Sequence, residues 1–237
     1  VRGKLFFISG IVWHITHRCH NRDFLLKFNK DKKRWLCWLF QAKKKYGLTI
    51  LNYAVTSNHI HLLVLADGNR QTIPRSIQLI ASRTAIEFNQ RKNRSGSFWD
   101  DNYHATAIES DQHLHRCMVY IDLNMVRAGV VDHPSKWRFC GYNELMKNPQ
   151  RYRLINIKKV MELTGVDNPT AFRNLYSQHI ESALNLGNME RESKWTESIA
   201  VGTEAFVGHV HKQLGYRAKY RNMLKIQKSW ILKNGFS

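Results

Sequence analysis

Residues 49–65 constrain the fold more than any other stretch of the chain. Two seven-residue runs, Thr49 to Val55 and His59 to Leu65, are dominated by apolar and β-branched side chains. Three polar residues, Thr56, Ser57 and Asn58, join them. Such runs, bounded by turn residues, read as strands. A helical pattern flanks them on each side. Residues 31–46 place Leu36, Leu39 and Phe40 at helical spacing, with Asp31 as N-cap candidate and Gly47 as the stop. Residues 72–91 gather Ile73, Ile77, Ile80, Ala81, Thr84 and Phe88 on one side. Residues 5–17 read as a first strand and Tyr103 to Glu109 as a short one. Asp111 caps a helix over 112–128 that Gly129 ends. The order β-α-β(β)-α-β-α predicts an α+β, ferredoxin-like two-layer sandwich: a central antiparallel sheet with helices on one face.

A boundary is expected near residue 150, after Lys147-Asn148-Pro149-Gln150. It divides a core of residues 1–150 from a helical, basic C-terminal extension of 151–237. Helices are predicted there over 157–163, 168–186 and about 203–214. The first two, with their Thr164-Gly165 turn, form a weak helix-turn-helix signal. From Tyr216 onward the chain carries Arg217, Lys219, Arg221, Lys225, Lys228 and Lys233 and no acid. Over the whole chain 37 Lys and Arg face 18 Asp and Glu, a formal net charge of +19. Hydrophobic residues at 43% and aromatics at 11% exclude a disordered basic tail, which lacks apolar surface to offset chain entropy. A folded surface this basic predicts a polyanionic partner, nucleic acid first. No membrane span is expected, because the densest apolar run, Trp35 to Phe40, is far short of the ~20 residues required. Residues 1–15 loosely mimic a signal peptide but lack a cleavage pattern, so they too are read as strand. Cys19, Cys37, Cys117 and Cys140 show no paired spacing, which predicts reduced thiols and a cytoplasmic protein.

Three His-x-His triplets occur: His59/His61, His113/His115 and His209/His211. On a strand, residues i and i+2 share a face, so two imidazoles can meet one ion. On a helix they diverge by about 200°. The second and third triplets fall in helical patterns. Only His59 and His61 lie on a predicted strand, facing away from the layer met by Ile60, Leu62 and Val64. On residues alone, such a pair is either a start for a metal site or two surface histidines. In the helix from Asp111, Tyr120 and Asn124 stand four apart on one face, with Arg116 and Arg127 nearby. Tyr120 reads there as a boundary aromatic or a reactive phenol. Asp122 points about 200° away and reads as a solvated charge.

Taken together, Asn58-His59-Ile60-His61-Leu62-Leu63-Val64, then Ser97-Phe98-Trp99, then Tyr120 to Gly129 closely resemble the single-tyrosine HUH transposases (His-hydrophobic-His). The extension makes the chain most similar to the REP-associated tyrosine transposases. The resemblance covers about residues 5–145 and is loose beyond them. It implies that His59, His61 and Asn124 are ligands of a divalent metal, Mg²⁺ or Mn²⁺, and that Tyr120 is the nucleophile. It implies a DNA substrate with a hairpin-forming repeat and a short flanking tetranucleotide, and a monomer. Two positions depart from the pattern: Met125, where many relatives carry Pro, and Ser57, where Pro often precedes the Asn-His pair.

The implied chemistry is coherent on physical grounds. A phenol with a pKa near ~10 is a poor nucleophile at pH 7 without help from a cation or base. Its attack on a phosphodiester gives a 5′-phosphotyrosine and a free 3′-hydroxyl, and the retained bond can be passed to another end. No ATP site is needed, and no G-x-x-x-x-G-K-[ST] occurs. Single-strand binding needs basic side chains and stacking aromatics. The candidates are Arg18, Arg22, Arg91, Arg94, Arg116, Arg127, Arg217, Lys219 and Arg221, with Tyr216, Tyr220 and Trp230 as aromatic partners. Two other readings stand beside this one: a hairpin-binding protein that does not cut, and a metal-independent ferredoxin-like RNA endonuclease.

Overall fold

The hydrophobic runs of the first half build four strands. In the computed structural model, which describes residues 7–100, 102–147, 153–187 and 190–235, these are β1 (Val12–Arg18), β2 (Thr49–Val55), β3 (His59–Leu65) and β4 (His104–Ile108). Helix α1 (Asn29–Tyr46) links β1 to β2, α2 (Thr72–Lys92) links β3 to β4, and α3 (Gln112–Asp122) follows β4. The α+β ferredoxin-like class holds. β1 pairs antiparallel with both β3 and β4, and Thr16 stands opposite both His61 and His104. Residues 1–6, where the first strand was expected to begin, and most of the 147–150 boundary run lie outside the described residues.

The sheet is covered on both faces, not on one. Ile15, His17 and Ile60 face Trp35 of α1 and Ile77 and Ile80 of α2. Asn52 and His61, on the other face, meet α3: Asn52 Nδ2 donates to Met118 O and the His61 ring lies against Tyr120. The physical reason is in β3 itself. Leu62, Leu63, Val64 and Leu65 are apolar at successive positions, hence on both faces, and all are buried.

The helix expected over 112–128 is interrupted at Leu123 (φ −79°, ψ 2°), which separates α3 from the short α4 (Asn124–Arg127). Bonds from Leu123 N to Val119 O and from Arg127 N to Leu123 O continue across the break, and Gly129 closes it at φ +65°. The short α5 (Tyr142–Met146) follows.

The extension holds the expected helices: α6 (Ile157–Thr164), α7 (Pro169–Asn185), a short α8 (Lys194–Glu197) and α9 (Glu204–Leu214). Asn168 and Thr203 cap α7 and α9 through side-chain oxygens. It also holds three strands that the helical expectation did not include. β5 (Ala200–Gly202) runs parallel to β4, and the basic tail is a hairpin of β6 (Arg221–Ile226) and β7 (Ser229–Asn234). One seven-stranded sheet results, in the order β2-β3-β1-β4-β5-β7-β6. The outer strand β6 is largely exposed and carries Arg221 and Lys225, as an edge strand exposed to solvent commonly does.

The Thr164-Gly165 helical pair packs on α3. There the reading of Asp122 as a solvated charge is corrected. It is 1% exposed and accepts a 2.5 Å bond from the Tyr176 hydroxyl of α7. The pattern of α3 alone could not reveal that α7 covers its outer side. Asp31 is likewise no N-cap: Phe28 holds that position, and Asp31 is buried against Arg91 of α2. The four cysteines are unpaired, three of them buried. Among the described residues no helix is long and apolar enough to cross a membrane.

Candidate active site

The strand geometry of β3 sets His59 and His61 on one face, and their Nε2 atoms stand 3.1 Å apart. Asn124, first residue of α4, brings its side-chain amide to 2.9 Å from His61 Nε2. The Tyr120 ring meets His61 edge-on at 5.9 Å between centroids. Arg127, about two helical turns beyond Tyr120, places its guanidinium 4.1 Å above the Tyr120 ring and donates to Tyr120 O at 2.6 Å. All five line one cavity of about 650 Å³, with Arg18, Arg22 and Asn58 on one side and Arg191 and Thr196 of the extension on another.

Burial and local charge set the protonation states. His59 is pushed down to about 4, first by burial and then by the charges of Arg18, Arg191 and Arg127. His61, fully buried, is pushed well below the ordinary value by burial and by neighbouring His59 and His14. Both imidazoles are therefore neutral at pH 7, each with one N–H and one lone pair. Asn58 Oδ1, an acceptor, lies 2.7 Å from His59 Nδ1, so the His59 proton sits there and its Nε2 lone pair faces the cavity. Burial raises the Tyr120 phenol, while Arg127 and Arg191 pull in the opposite direction.

These groups fit a divalent ion. Two imidazole nitrogens bound to one ion at about 2.0–2.1 Å stand roughly 3 Å apart when their bonds are near right angles. The Nε2 pair has that spacing. Among the described residues no group of three or more His, Cys, Asp or Glu is arranged to hold a metal, so a third protein donor beside the His pair would be of another residue type. Asn124 carries an amide oxygen within reach: its nitrogen lies nearest His61, and a half-turn of the amide exchanges nitrogen for oxygen.

Of the residues singled out in the sequence, the fold gathers His59, His61, Asn124, Tyr120, Arg18, Arg22 and Arg127 around this cavity. Arg116 lines a neighbouring cavity of about 530 Å³ on the other side of Tyr120. The remaining basic candidates lie elsewhere. Arg91 is tied to Asp31, and Arg94 holds the loop after α2 by donating to Ser97 O at 2.9 Å. Arg217 and Lys219 sit over the rings of Tyr216 and Tyr220. Arg221 is on β6, five strand spacings from β3, or ~24 Å at about 4.8 Å each. The Ser97-Phe98-Trp99 motif is structural: Trp99 stacks on His17 at 4.5 Å and donates to Ala81 O.

Three neighbours of the site were missed. His14 Nε2 is 2.9 Å from His61 Nδ1, and Arg191 and Thr196 enter from the extension. His14 left one signal: it is two places from Thr16, hence on the same strand face, and Thr16 pairs with His61. Arg191 and Thr196 left none, because their proximity depends on the chain's return to the sheet.

Residues 7–124 match the sequence profile of the family described as "Transposase IS200 like", and through this half the chain belongs to that family. No curated protein sequence matches the chain. A solved structure of a REP-associated tyrosine transposase bound to a REP hairpin is similar in fold, with a TM-score of 0.51 at 19% identity, over 61% of this chain and 84% of that one. A candidate transposase from Deinococcus radiodurans R1 is similar over 44% of this chain and 84% of its own, at 14% identity and a TM-score of 0.34.

Proposed function

We propose that this protein is a metal-dependent single-strand DNA transposase that cuts and rejoins DNA beside hairpin-forming repeats through Tyr120. One observation carries the reading: a tyrosine, two buried imidazoles with facing Nε2 atoms and an amide converge in one arginine-lined cavity. His59, His61 and Asn124 would hold Mg²⁺ or Mn²⁺. When bound, the ion supplies charge neutralisation at the scissile phosphate. Arg18, Arg22 and Arg191 receive the DNA backbone. Arg127 holds the tyrosine backbone and, with Arg191, offsets part of the burial that raises the phenol; as Oη attacks phosphorus its proton passes to solvent, and the departing 3′-oxygen takes one up. The P–O3′ bond breaks, leaving a 5′-phosphotyrosine and a 3′-hydroxyl. The hairpin held by the similar solved structure supports a hairpin substrate here. Tyr120 meets His61 of its own chain, which favours a monomer that acts on its own. In this reading the catalytic core lies within residues 1–150, and 151–237 serve as an accessory extension in a cytoplasmic protein.

Acid–base cleavage of RNA by the His pair is disfavoured, because it needs one protonated imidazole near pH 7 and burial holds both neutral. Incubation with hairpin single-stranded DNA and Mn²⁺, followed by denaturing gels, tests the proposal. Tyr120→Phe should abolish the covalent adduct and spare binding, and EDTA should abolish it in the wild type. An adduct persisting in Tyr120→Phe overturns the tyrosine assignment. Binding without any cut in the wild type favours the non-cutting alternative.

A further inference from the structure

We infer that His14 is a positioning residue for His61, and that the Trp195 carbonyl of the C-terminal extension determines which nitrogen of His61 carries its proton. His14 Nδ1 lies 2.8 Å from Trp195 O. A backbone carbonyl only accepts, so the His14 proton sits on Nδ1. His14 is fully buried and its two ring nitrogens meet only Trp195 O and His61 Nδ1, with no carboxylate to balance a charge, so it carries one proton and its Nε2 is left as an acceptor. That nitrogen is 2.9 Å from His61 Nδ1, which must therefore donate. The two rings lie within 13° of parallel with centroids 5.1 Å apart, a separation that matches an end-to-end bond in the ring plane better than a stack.

The consequence falls on the other side of the His61 ring. With its proton on Nδ1, His61 turns a bare Nε2 lone pair toward His59 Nε2 and the Asn124 amide. In the opposite tautomer an N–H would point into the site and exclude a cation. A histidine ligand is commonly fixed by such a partner on its second nitrogen. Here the partner is another histidine, and its own anchor comes from residue 195. Trp195 is fully buried in α8, which packs on β1 and β4, so the carbonyl is held in place. Residues 1–150 alone do not contain the whole relay.

This inference rests on the metal reading, and the two are tested separately. Full-length, metal-free protein labelled with ¹⁵N-histidine should show His61 as the Nδ1–H tautomer in long-range ¹H–¹⁵N spectra. Mn²⁺ affinity, read by electron paramagnetic resonance, should fall about 10–100-fold in His14→Phe, which keeps a flat ring but no acceptor. His14→Gln, whose amide oxygen can accept from His61, should recover part of the loss. Wild-type His61 found with its proton on Nε2 overturns the relay without recourse to any variant. So does a folded His14→Phe protein that binds Mn²⁺ as tightly as wild type. A wild type that shows the Nδ1–H tautomer but binds no Mn²⁺ supports the relay and overturns the metal reading alone.

Discussion

Replacing Asp122 by Asn should make the protein more stable in neutral and alkaline buffer, by an amount that the structure sets. Burial pushes the Asp122 carboxyl from an ordinary 3.8 up to about 7, although the Tyr176 hydroxyl donates to it. The unfolded chain releases this proton near 3.8 and the folded protein only near 7. Between those values the folded state holds more protons than the unfolded one, so this group's contribution to stability declines as pH rises. At about 1.4 kcal/mol per pH unit, a gap of roughly three units costs the wild type about 4 kcal/mol above pH 7. Asn cannot ionise and still offers Tyr176 an oxygen. Urea unfolding of both proteins at pH 5, 6, 7 and 8 gives their difference in stability, from which the histidine contributions cancel. That difference should grow in favour of Asp122→Asn by about 3 kcal/mol from pH 5 to pH 8, and level off above pH 7. A flat difference would refute the reasoning. A difference that shrinks with pH would mean that Tyr176 and its neighbours stabilise the carboxylate more than burial penalises it.

Three further outcomes concern other charged and buried groups. Arg91→Ala strands Asp31, which is 3% exposed, and should cost about 3 kcal/mol in urea unfolding at pH 8, while Arg22→Ala, on the cavity rim, should leave stability unchanged and weaken DNA binding in fluorescence anisotropy. His14, His17 and His115 are each pushed down to about 4 by burial, so the unfolded chain takes up protons near 6.5 that the folded protein refuses until about 4, and stability is lost as pH falls through that window. In the Asp122→Asn background, each should remove about 2 kcal/mol between pH 6.5 and pH 5, and an unchanged urea midpoint would show that the folded protein accepts those protons.

The parts of the fold legible in the sequence are those whose cause is local. The bounds of β2 and β3 follow from seven-residue runs around a polar turn, and Asn168 and Thr203 mark their helices because a side-chain oxygen bonds amides two or three residues on. His59 with His61, and Tyr120 with Asn124, were placed on shared faces for the same reason, each pair belonging to one strand or one helical stretch; the roles expected of them came from the resemblance of their motifs. What escaped depends on distant partners. β5 is three residues long and exists because β4 and β7 flank it. The tail's run of cations concealed a hairpin that β5 anchors through β7. Asp122 faces outward on α3 until α7 is laid over it. His14 meets His61 only through the register of β1 against β3, and its anchor at Trp195 arrives from the far end of the chain.

The parallel pairing of Ala107 with Ala200 has a consequence for synthesis. Residues 107 and 200 leave the ribosome roughly 5–20 s apart at ordinary translation rates of about 5–20 residues per second. During that interval the nascent chain has His59, His61, Tyr120 and Asn124 but lacks β5, Trp195, Thr196 and Arg191. The outer edge of β4 is unpaired, and the tyrosine has no neighbour from the extension. On the proposed reading, the site would therefore gain its last neighbours only after residues 191–200 have emerged, so that the extension completes what the first half begins.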